Sequence, residues 1–319
     1  MSLQLGPGRE FDRIRAMAAR WKDRAHGLGD DCAFIESGGE RLAVSIDLSI
    51  EDVHFRRAWL TPGEIGYRAA TAALSDLAAV AAQPMALLLS LGVPGDCTDE
   101  TLFAISDGVG DAAGDAGALV VGGDLSRSEK LLLDCCVIGR AGAEVRRRGA
   151  RPGDRLVVTG ALGGPLAALT AWQAGRDPEP EARWRFARPA QRHDAARFLL
   201  SLRVRAMIDV SDGLAGDLGQ LLAASGVGAR IDAGAIPVMR AARAAAERLG
   251  EPAWRFAARS GEEYELLAAL PPDVSDAELA RAPVPVAVIG VIEEQPGVRA
   301  GLEGGPVELP HGHDHFGAA

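Results

Sequence analysis

The chain has 319 residues, and 34 Lys and Arg side chains against 44 Asp and Glu side chains give a formal net charge of −10. This acidic balance disfavours nucleic acid as the main partner, because nucleic-acid binding usually needs a basic face. Apolar residues make up 48% and charged residues 24% of the sequence, which excludes disorder over most of the chain. The length is typical of two domains.

Membrane insertion and secretion are not indicated. The most apolar stretch, residues 77–93, contains Gln83 and Pro84 and is shorter than the roughly 20 apolar residues of a spanning helix. The first ten residues lack the apolar core of a signal peptide. No C-x-x-C pair occurs, so we expect reduced thiols in a cytoplasmic protein with no membrane partner. The cysteines are Cys32, Cys97, Cys135 and Cys136.

Helices and strands alternate along the first half of the sequence. Apolar spacing predicts helices over residues 9–21, 65–82 and from 98 to the glycines of 111–117. The second of these follows a capping-box pattern, in which Thr61 precedes Pro62 and Glu64. Short apolar runs predict strands over residues 42–46, 85–93, 119–121 and 131–138.

A basic stretch with Gly and Pro, residues 146–154, separates the two halves. We therefore expect two domains, residues 1–145 and residues 146–319, each combining helices with a mixed sheet. In the second half, strands are predicted over residues 155–159, 206–210, 229–231, 264–269 and 284–291. Helices are predicted over residues 165–174, 189–202, 214–224 and 239–249, and residues 177–181 are expected to form a surface loop.

The placing of the aspartates is the most informative feature. Most of them stand at predicted strand ends or in glycine turns, whereas Asp76 lies inside a predicted helix among Leu74, Leu77 and alanines. A carboxylate in such apolar surroundings is costly unless it is paired or bound to metal. Each aspartate alone is more simply a turn former or a helix cap. Together they favour a shared cluster of oxygen ligands, which suits Mg²⁺, Mn²⁺ or Ca²⁺ and not zinc.

Glycines beside these acids, at residues 27, 29, 122 and 123, allow backbone amides to approach an anion. A carboxylate-bound Mg²⁺ next to such turns is typical of nucleotide triphosphate binding. The sequence has no G-x-x-x-x-G-K-[ST] motif, and its G-x-G-x-x-A match at residues 108–113 falls inside a predicted helix. The nucleotide would therefore be held by another kind of site.

Eight short motifs follow one another along nearly the whole chain: GLGDDCA at 27–33, SID with DVHF at 45–55, LSDLA at 74–78, GGD at 122–124, RRGARPGD at 147–154, IDVSDGL at 208–214, GEEYEL at 261–266 and DHF at 314–316. In this order they resemble the motifs of the thiamine-monophosphate kinase family, within the superfamily of aminoimidazole-ribonucleotide synthetase. The resemblance implies a two-domain α/β fold like that of the synthetase (PurM-like). It also implies a homodimer formed through the N-terminal domains, ATP and several Mg²⁺ ions, with thiamine monophosphate as the acceptor.

The resemblance also assigns roles to single positions. Metal ligands are implied at Asp31, Ser45, Ile46, Asp47, Asp76, Asp124, Asp209 and Asp212, and the catalytic centre at Asp47, Asp76, Asp124 and Asp212. ATP contacts are implied at Gly123, Asp124, Arg147 and Ser211, and thiamine contacts at His54, Glu262 and His313. Three positions depart from the family pattern. Ile46 often is Thr, Leu125 and Ser126 replace Thr-Thr, and His313 stands where Tyr or Trp is usual.

The resemblance implies direct, in-line phosphoryl transfer without a phospho-enzyme, because the acceptor phosphate is already anionic. Two alternatives stay open: another ATP-using enzyme of the superfamily, or a catalytically silent homologue that binds metal or nucleotide. His311, His313 and His315 could chelate a transition metal, although a flexible or docked tail is the simpler interpretation. The acidic chain can bind two phosphorylated substrates only if divalent cations reverse the local charge.

Overall fold

The computed structural model describes residues 5–303 and 305–313, whose strands form two mixed sheets. The N-terminal strands are β1 (Ala33–Ser37), β2 (Glu40–Ile50), β3 (Gln83–Val93), β4 (Leu119–Arg127) and β5 (Leu132–Arg140). Their order is β1-β2-β5-β3-β4; β3 and β4 pair in parallel, and the other neighbours are antiparallel. This agrees with the mixed sheet expected for the first domain.

Three helices accompany this sheet: α1 (Arg9–Trp21), α2 (Pro62–Ala79) and α3 (Asp99–Ala116). The capping box predicted for α2 is confirmed, since Thr61 Oγ1 accepts from the Glu64 amide and the Glu64 carboxylate accepts from the Thr61 amide. Helices α2 and α3 approach closely at Gly66, where a Cβ atom would overlap the Ile105 carbonyl. The helix carrying Asp76 therefore has a fixed start and a tight packing partner.

The C-terminal domain contains a seven-stranded sheet. Its strands are β6 (Arg155–Thr159), β7 (Ala206–Asp209), β8 (Gly228–Asp232), β9 (Leu266–Leu270), β10 (Val286–Glu293), β11 (Gly297–Leu302) and β12 (Gly305–Val307). The order is β12-β11-β8-β10-β6-β9-β7, with a parallel pair only between β11 and β8. β7, which ends at Asp209, is thus an edge strand of the described sheet.

Seven helices surround that sheet: α4 (Gly164–Gln173), α5 (Pro180–Ala187), α6 (His193–Ser201), α7 (Leu214–Ser225), α8 (Arg240–Leu249), α9 (Ala253–Ala258) and α10 (Asp276–Leu279). α2 contacts its own sheet and α3 on one side, and β7, α5 and α6 of the second domain on the other. Most of α2 is consequently buried, which explains why its sequence is apolar on nearly every face. The domain boundary between residues 145 and 146 stays a prediction.

Three local predictions are wrong. The strand predicted over residues 119–121 continues to Arg127, because its parallel pairing with β3 extends as far as Val93, so Gly122 to Asp124 lie inside a strand. The helix predicted over residues 189–202 begins only at His193, and α5 begins inside the expected surface loop. Pro189 separates the two helices, because its ring disfavours helical backbone geometry at the preceding residue, Arg188. Strands β1, β11 and β12 and helices α9 and α10 were not predicted.

In the parts of the chain that the structure describes, no helix combines the length and apolar composition that a membrane crossing needs.

Candidate functional site

Three carboxylates from distant parts of the chain meet between the two domains. Asp31 precedes β1, Asp76 lies in α2 and Asp209 ends β7. Each offers an oxygen atom, and these three atoms lie within 4.8 Å of one another. We call Asp31, Asp76 and Asp209 the carboxylate triad. All three were predicted as metal ligands from the sequence.

Two serine hydroxyls orient the triad. Ser45 Oγ, on β2, donates to Asp76 Oδ2 at 2.5 Å, and Ser75 Oγ, on α2, donates to Asp209 Oδ2 at 2.6 Å. The second bond crosses from the first domain to the second. Hydroxyl donors on one carboxylate oxygen leave the other oxygen available to a ligand.

Two arginines hold the loop that carries Asp31. Arg147 Nη2 donates to Asp31 Oδ1 at 2.7 Å, and the Arg147 amide donates to Asp30 Oδ1 at 2.9 Å. The Arg146 guanidinium also forms an ion pair with Asp30. Arg147, predicted to contact ATP, is therefore already placed at the triad, where its charge can also face a phosphate.

The electrostatics of the triad favour a bound cation. Burial and the charges of Asp209, Asp31 and Asp47 raise the pKa of Asp76 well above its ordinary value. Burial, followed by the charge of Asp31, raises the pKa of Asp209 to about 7. Burial likewise raises the pKa of Asp31, although Arg147 opposes this shift. A divalent cation would offset the burial and repulsion that cause these shifts.

The oxygen atoms of the triad and its neighbours suit a divalent cation. Asp31 Oδ2 is buried and has no hydrogen-bond partner among the described residues, so it has a coordination position to fill. The available atoms are carboxylate and hydroxyl oxygens, which Mg²⁺ prefers over the softer ligands of zinc sites. These residues fit Mg²⁺.

Asp47 and Asp212 lie at the margin of the triad. Asp47, on β2, is close enough for its charge to raise the pKa of Asp76 and Asp209. Asp212 follows β7 by three residues, and its carbonyl accepts from the His313 amide at 2.9 Å. Both were predicted as metal ligands, and neither is among the three residues that share the 4.8 Å distance.

Asp217 is a site residue that the sequence reasoning missed. Its Oδ2 accepts from the amides of Ser211 and Asp212 at 3.1 and 3.2 Å. Burial, followed by the charge of Asp212, raises the pKa of Asp217 well above its ordinary value. The signal was available, because Asp217 stands between Leu214 and Leu218 in an apolar helix, just as Asp76 does in α2.

The predicted residues of β4 lie apart from the triad within one chain. Across the sheet, Asp47 lies in the same row of paired residues as Leu89 and Gly123. Asp124 lies in the next row, where it is paired with Ser90. Alternation along strands therefore places Asp124 and Asp47 on opposite faces. Gly123 is obligatory, because a Cβ atom there would overlap the Leu89 carbonyl oxygen.

The side chain of Ile46 also points away from the triad. It is 65% exposed, and it alternates along β2 with Ser45 and Asp47. A metal contact at this residue would therefore have to use its backbone.

The three predicted thiamine contacts have distinct local settings. His54 Nδ1 accepts from the Ile50 amide at 3.0 Å, which orients the ring. Glu262 forms an ion pair with Arg68 and has a positive φ of 57°. His313 follows Gly312, which lies against Gly216 of α7, and its amide donates to the Asp212 carbonyl at the margin of the triad. Asp314, His315 and Phe316 lie outside the described residues.

Comparisons with known proteins agree with this arrangement. The profile of the AIR synthase related protein N-terminal domain matches residues 29–141, and that of the C-terminal domain matches residues 151–303. A thiamine-monophosphate kinase from Pyrococcus horikoshii is 33% identical over 95% of this chain and 94% of its own length. Another from Halobacterium salinarum is 38% identical over 82% of this chain and 86% of its own length.

A solved structure described as AaThiL complexed with AMPPCP and TMP superposes with a TM-score of 0.87 at 30% identity and covers 97% of both chains. The two profiles define the class as AIR synthase related proteins, in agreement with the PurM-like fold predicted from the sequence. Within that class, the chain belongs to the thiamine-monophosphate kinase family.

Proposed function

We propose that the protein transfers the γ-phosphoryl group of ATP to thiamine monophosphate, which yields thiamine diphosphate and ADP. The carboxylate triad carries this proposal, because it joins both domains in a chain whose relatives bear the kinase name. The structural neighbour with AMPPCP and TMP supports the same pair of substrates. In the reaction a phosphate oxygen of the acceptor bonds to the γ-phosphorus as the bond to the β-phosphate oxygen breaks.

Within this proposal, the chain's own residues position the phosphates. Asp31, Asp76 and Asp209, with Asp47 and Asp212 beside them, would hold several Mg²⁺ ions. Bound Mg²⁺ supplies charge neutralisation for phosphate oxygens that otherwise repel one another. Arg147 adds a fixed positive charge beside Asp31. No general base is needed, because the acceptor phosphate is already anionic, so catalysis consists of alignment and electrostatic stabilisation.

The substrate contacts in this proposal follow the family positions. Gly123, Asp124, Arg147 and Ser211 bind ATP, and His54, Glu262 and His313 bind the thiamine moiety. Ser211 follows the triad residue Asp209 by two positions, and its amide donates to Asp217 Oδ2. Its hydroxyl is therefore the group that we assign to the nucleotide.

We also propose a homodimer through the N-terminal sheet. The edge strand β4 is exposed along its whole length, including Leu119, Val121 and Leu125, which are 72%, 59% and 59% exposed. Ile46 adds a further exposed apolar side chain on β2. Unpaired edges with apolar side chains favour association. Pairing of this surface would place Asp124 at the subunit interface.

The cytoplasmic location of the protein stays a prediction.

Direct product analysis tests the proposal. The purified protein is incubated with ATP, Mg²⁺ and thiamine monophosphate, and thiamine diphosphate is measured by mass spectrometry. We expect product from the unchanged protein, none above background from Asp76→Asn, and normal turnover from Asp111→Asn, a matched change at an exposed helical acid. ATP binding without product would favour the silent homologue, and turnover of another acceptor would favour a different enzyme of the superfamily. Near-normal activity of Asp76→Asn would contradict the metal-cluster argument.

A further inference from the structure

Arg68 is a buried arginine of α2 that contacts a site residue of the other domain. Its side chain is 4% exposed and forms an ion pair with Glu262. Its Nη1 also donates to the Phe186 carbonyl at 2.5 Å, and its guanidinium lies 3.8 Å from the centre of the Phe186 ring. The arginine is thus fixed by three contacts before any ligand arrives.

Glu262 differs from its acidic neighbours in exposure. Glu263 and Glu265 are fully buried, whereas the Glu262 side chain is 30% exposed. Glu263 and Glu265 form ion pairs with Arg185, and Glu265 also forms one with Arg192. The charges of these two glutamates are therefore compensated inside the protein. A carboxylate that is held on one side and open on the other is suited to a ligand.

The backbone around Glu262 is held in an uncommon conformation. Its φ of 57° lies in the left-handed region, which costs free energy in a residue other than glycine. Its amide donates to the Ser211 carbonyl at 2.6 Å, and the Tyr264 amide donates to the Val210 carbonyl at 2.8 Å. The strained segment is therefore tied to the loop that follows Asp209. The ion pair with Arg68 then restrains the Glu262 side chain on one side.

Arg68 and Asp76 stand eight residues apart on one helix, which corresponds to about 12 Å along its axis. Helix α2 therefore fixes the distance between Asp76, which belongs to the carboxylate triad, and Arg68, which contacts Glu262. A ligand that bridges them needs a phosphate at one end and an amino-bearing or cationic ring at the other.

We propose that Arg68 is a positioning residue for acceptor recognition, which orients the Glu262 carboxylate toward the organic part of the phosphorylated acceptor. This inference rests on the proposed function. The described contacts of Arg68 are with Glu262 and Phe186 and with none of the predicted metal ligands, so its effect passes through Glu262. It sets the affinity for the acceptor and leaves ATP binding and phosphoryl transfer unaffected.

Steady-state kinetics test the assignment with thiamine monophosphate as the acceptor. Arg68→Lys keeps the charge and loses the planar fork, so we expect the KM for thiamine monophosphate to rise about tenfold. The KM for ATP and the kcat should stay within about threefold. Arg183→Lys is the matched control, because Arg183 joins α5 to Glu64 of α2 across the same domain interface without touching Glu262. It should leave all three constants within about threefold.

A double variant separates positioning from general stability. If Arg68 acts through Glu262, adding Arg68→Lys to Glu262→Gln should change the acceptor KM by less than about twofold. Full additivity, or an equal rise of both KM values in Arg68→Lys, would overturn the proposal. Failure of both Arg68→Lys and Arg68→Gln to fold, with Arg183→Lys folded, would also overturn it, because the role would be structural. An unchanged protein without activity toward thiamine monophosphate would instead refute the proposed function itself.

Discussion

Ser75 Oγ donates a hydrogen bond of 2.6 Å to Asp209 Oδ2, although the two residues are 134 positions apart in the sequence. Ser75 belongs to α2 of the first domain and Asp209 to β7 of the second. One residue further along α2, Asp76 reaches the same triad. Consecutive residues of one helix thus contact the second domain, through Ser75, and place a carboxylate of the first domain in the triad, through Asp76.

Removal of the Ser75 hydroxyl should weaken metal use. In Ser75→Ala the buried Asp209 carboxylate loses its donor, a change worth about 1.5–3 kcal/mol for a hydrogen bond to a charged group. We expect the Mg²⁺ concentration for half-maximal activity to rise by about tenfold or more. A Mg²⁺ titration of turnover measures this. Ser37→Ala, at an exposed position of β1, should leave the titration unchanged, and equal behaviour of the two variants would contradict the role of Ser75.

Nucleotide binding should require a divalent cation. The triad presents three carboxylates together and would repel ATP if no cation were bound, since like charges at short range are unfavourable. We expect excess chelator to abolish binding of a non-hydrolysable ATP analogue in calorimetry, and added Mg²⁺ to restore it. The control is Asp76→Asn, whose analogue binding should be weak with or without Mg²⁺. Tight binding by the chelated, unchanged protein would show that the acids are not the nucleotide-side metal ligands.

Asp217 should matter as a hydrogen-bond acceptor. Asp217→Ala removes the acceptor of the Ser211 and Asp212 amides, so we expect kcat/KM for ATP to fall about tenfold or more. Asp217→Asn keeps an acceptor oxygen and should stay within about threefold of the unchanged protein. Comparison of the two variants by initial rates decides the matter. If both lost activity equally, the negative charge of Asp217 would be the important property instead.

His193 should make stability depend on pH. Burial lowers its pKa from 6.5 to about 4, and neither ring nitrogen has a hydrogen-bond partner among the described residues. The folded state therefore favours the neutral ring. The corresponding stability is fully present above pH 6.5 and is lost as the pH falls toward 4.

Between pH 7.5 and pH 5, this histidine should account for a loss of about 2 kcal/mol in the free energy of unfolding. Denaturant titrations of the unchanged protein and His193→Leu at both pH values measure its share, because other acidic groups titrate equally in the two proteins. Relative to His193→Leu, the unchanged protein should lose about 2 kcal/mol of its free energy of unfolding between pH 7.5 and pH 5. A pH-independent difference would show that His193 does not stay neutral in the folded state.

Much of the local structure could be predicted from the sequence. Helix α1 has the predicted bounds Arg9–Trp21, and α2 begins at Pro62 with its capping box. These features depend on neighbouring residues, through side chain periodicity and short-range hydrogen bonds. By contrast, the end of β4 was misjudged, since its residues are extended only because β3 provides a parallel partner.

The sequence by itself determined the alternation of elements, the acidic residue set and the resemblance to a kinase family. Only the tertiary structure decided which acids meet: Asp31, Asp76 and Asp209 converge, whereas Asp124 lies on the other face of the sheet from Asp47. It also decided that Asp217 supports the loop after β7 and that Arg68 holds Glu262. The physical reason is that local propensities act over a few residues. The distances within the site are instead set by the packing of α2 against elements of both domains.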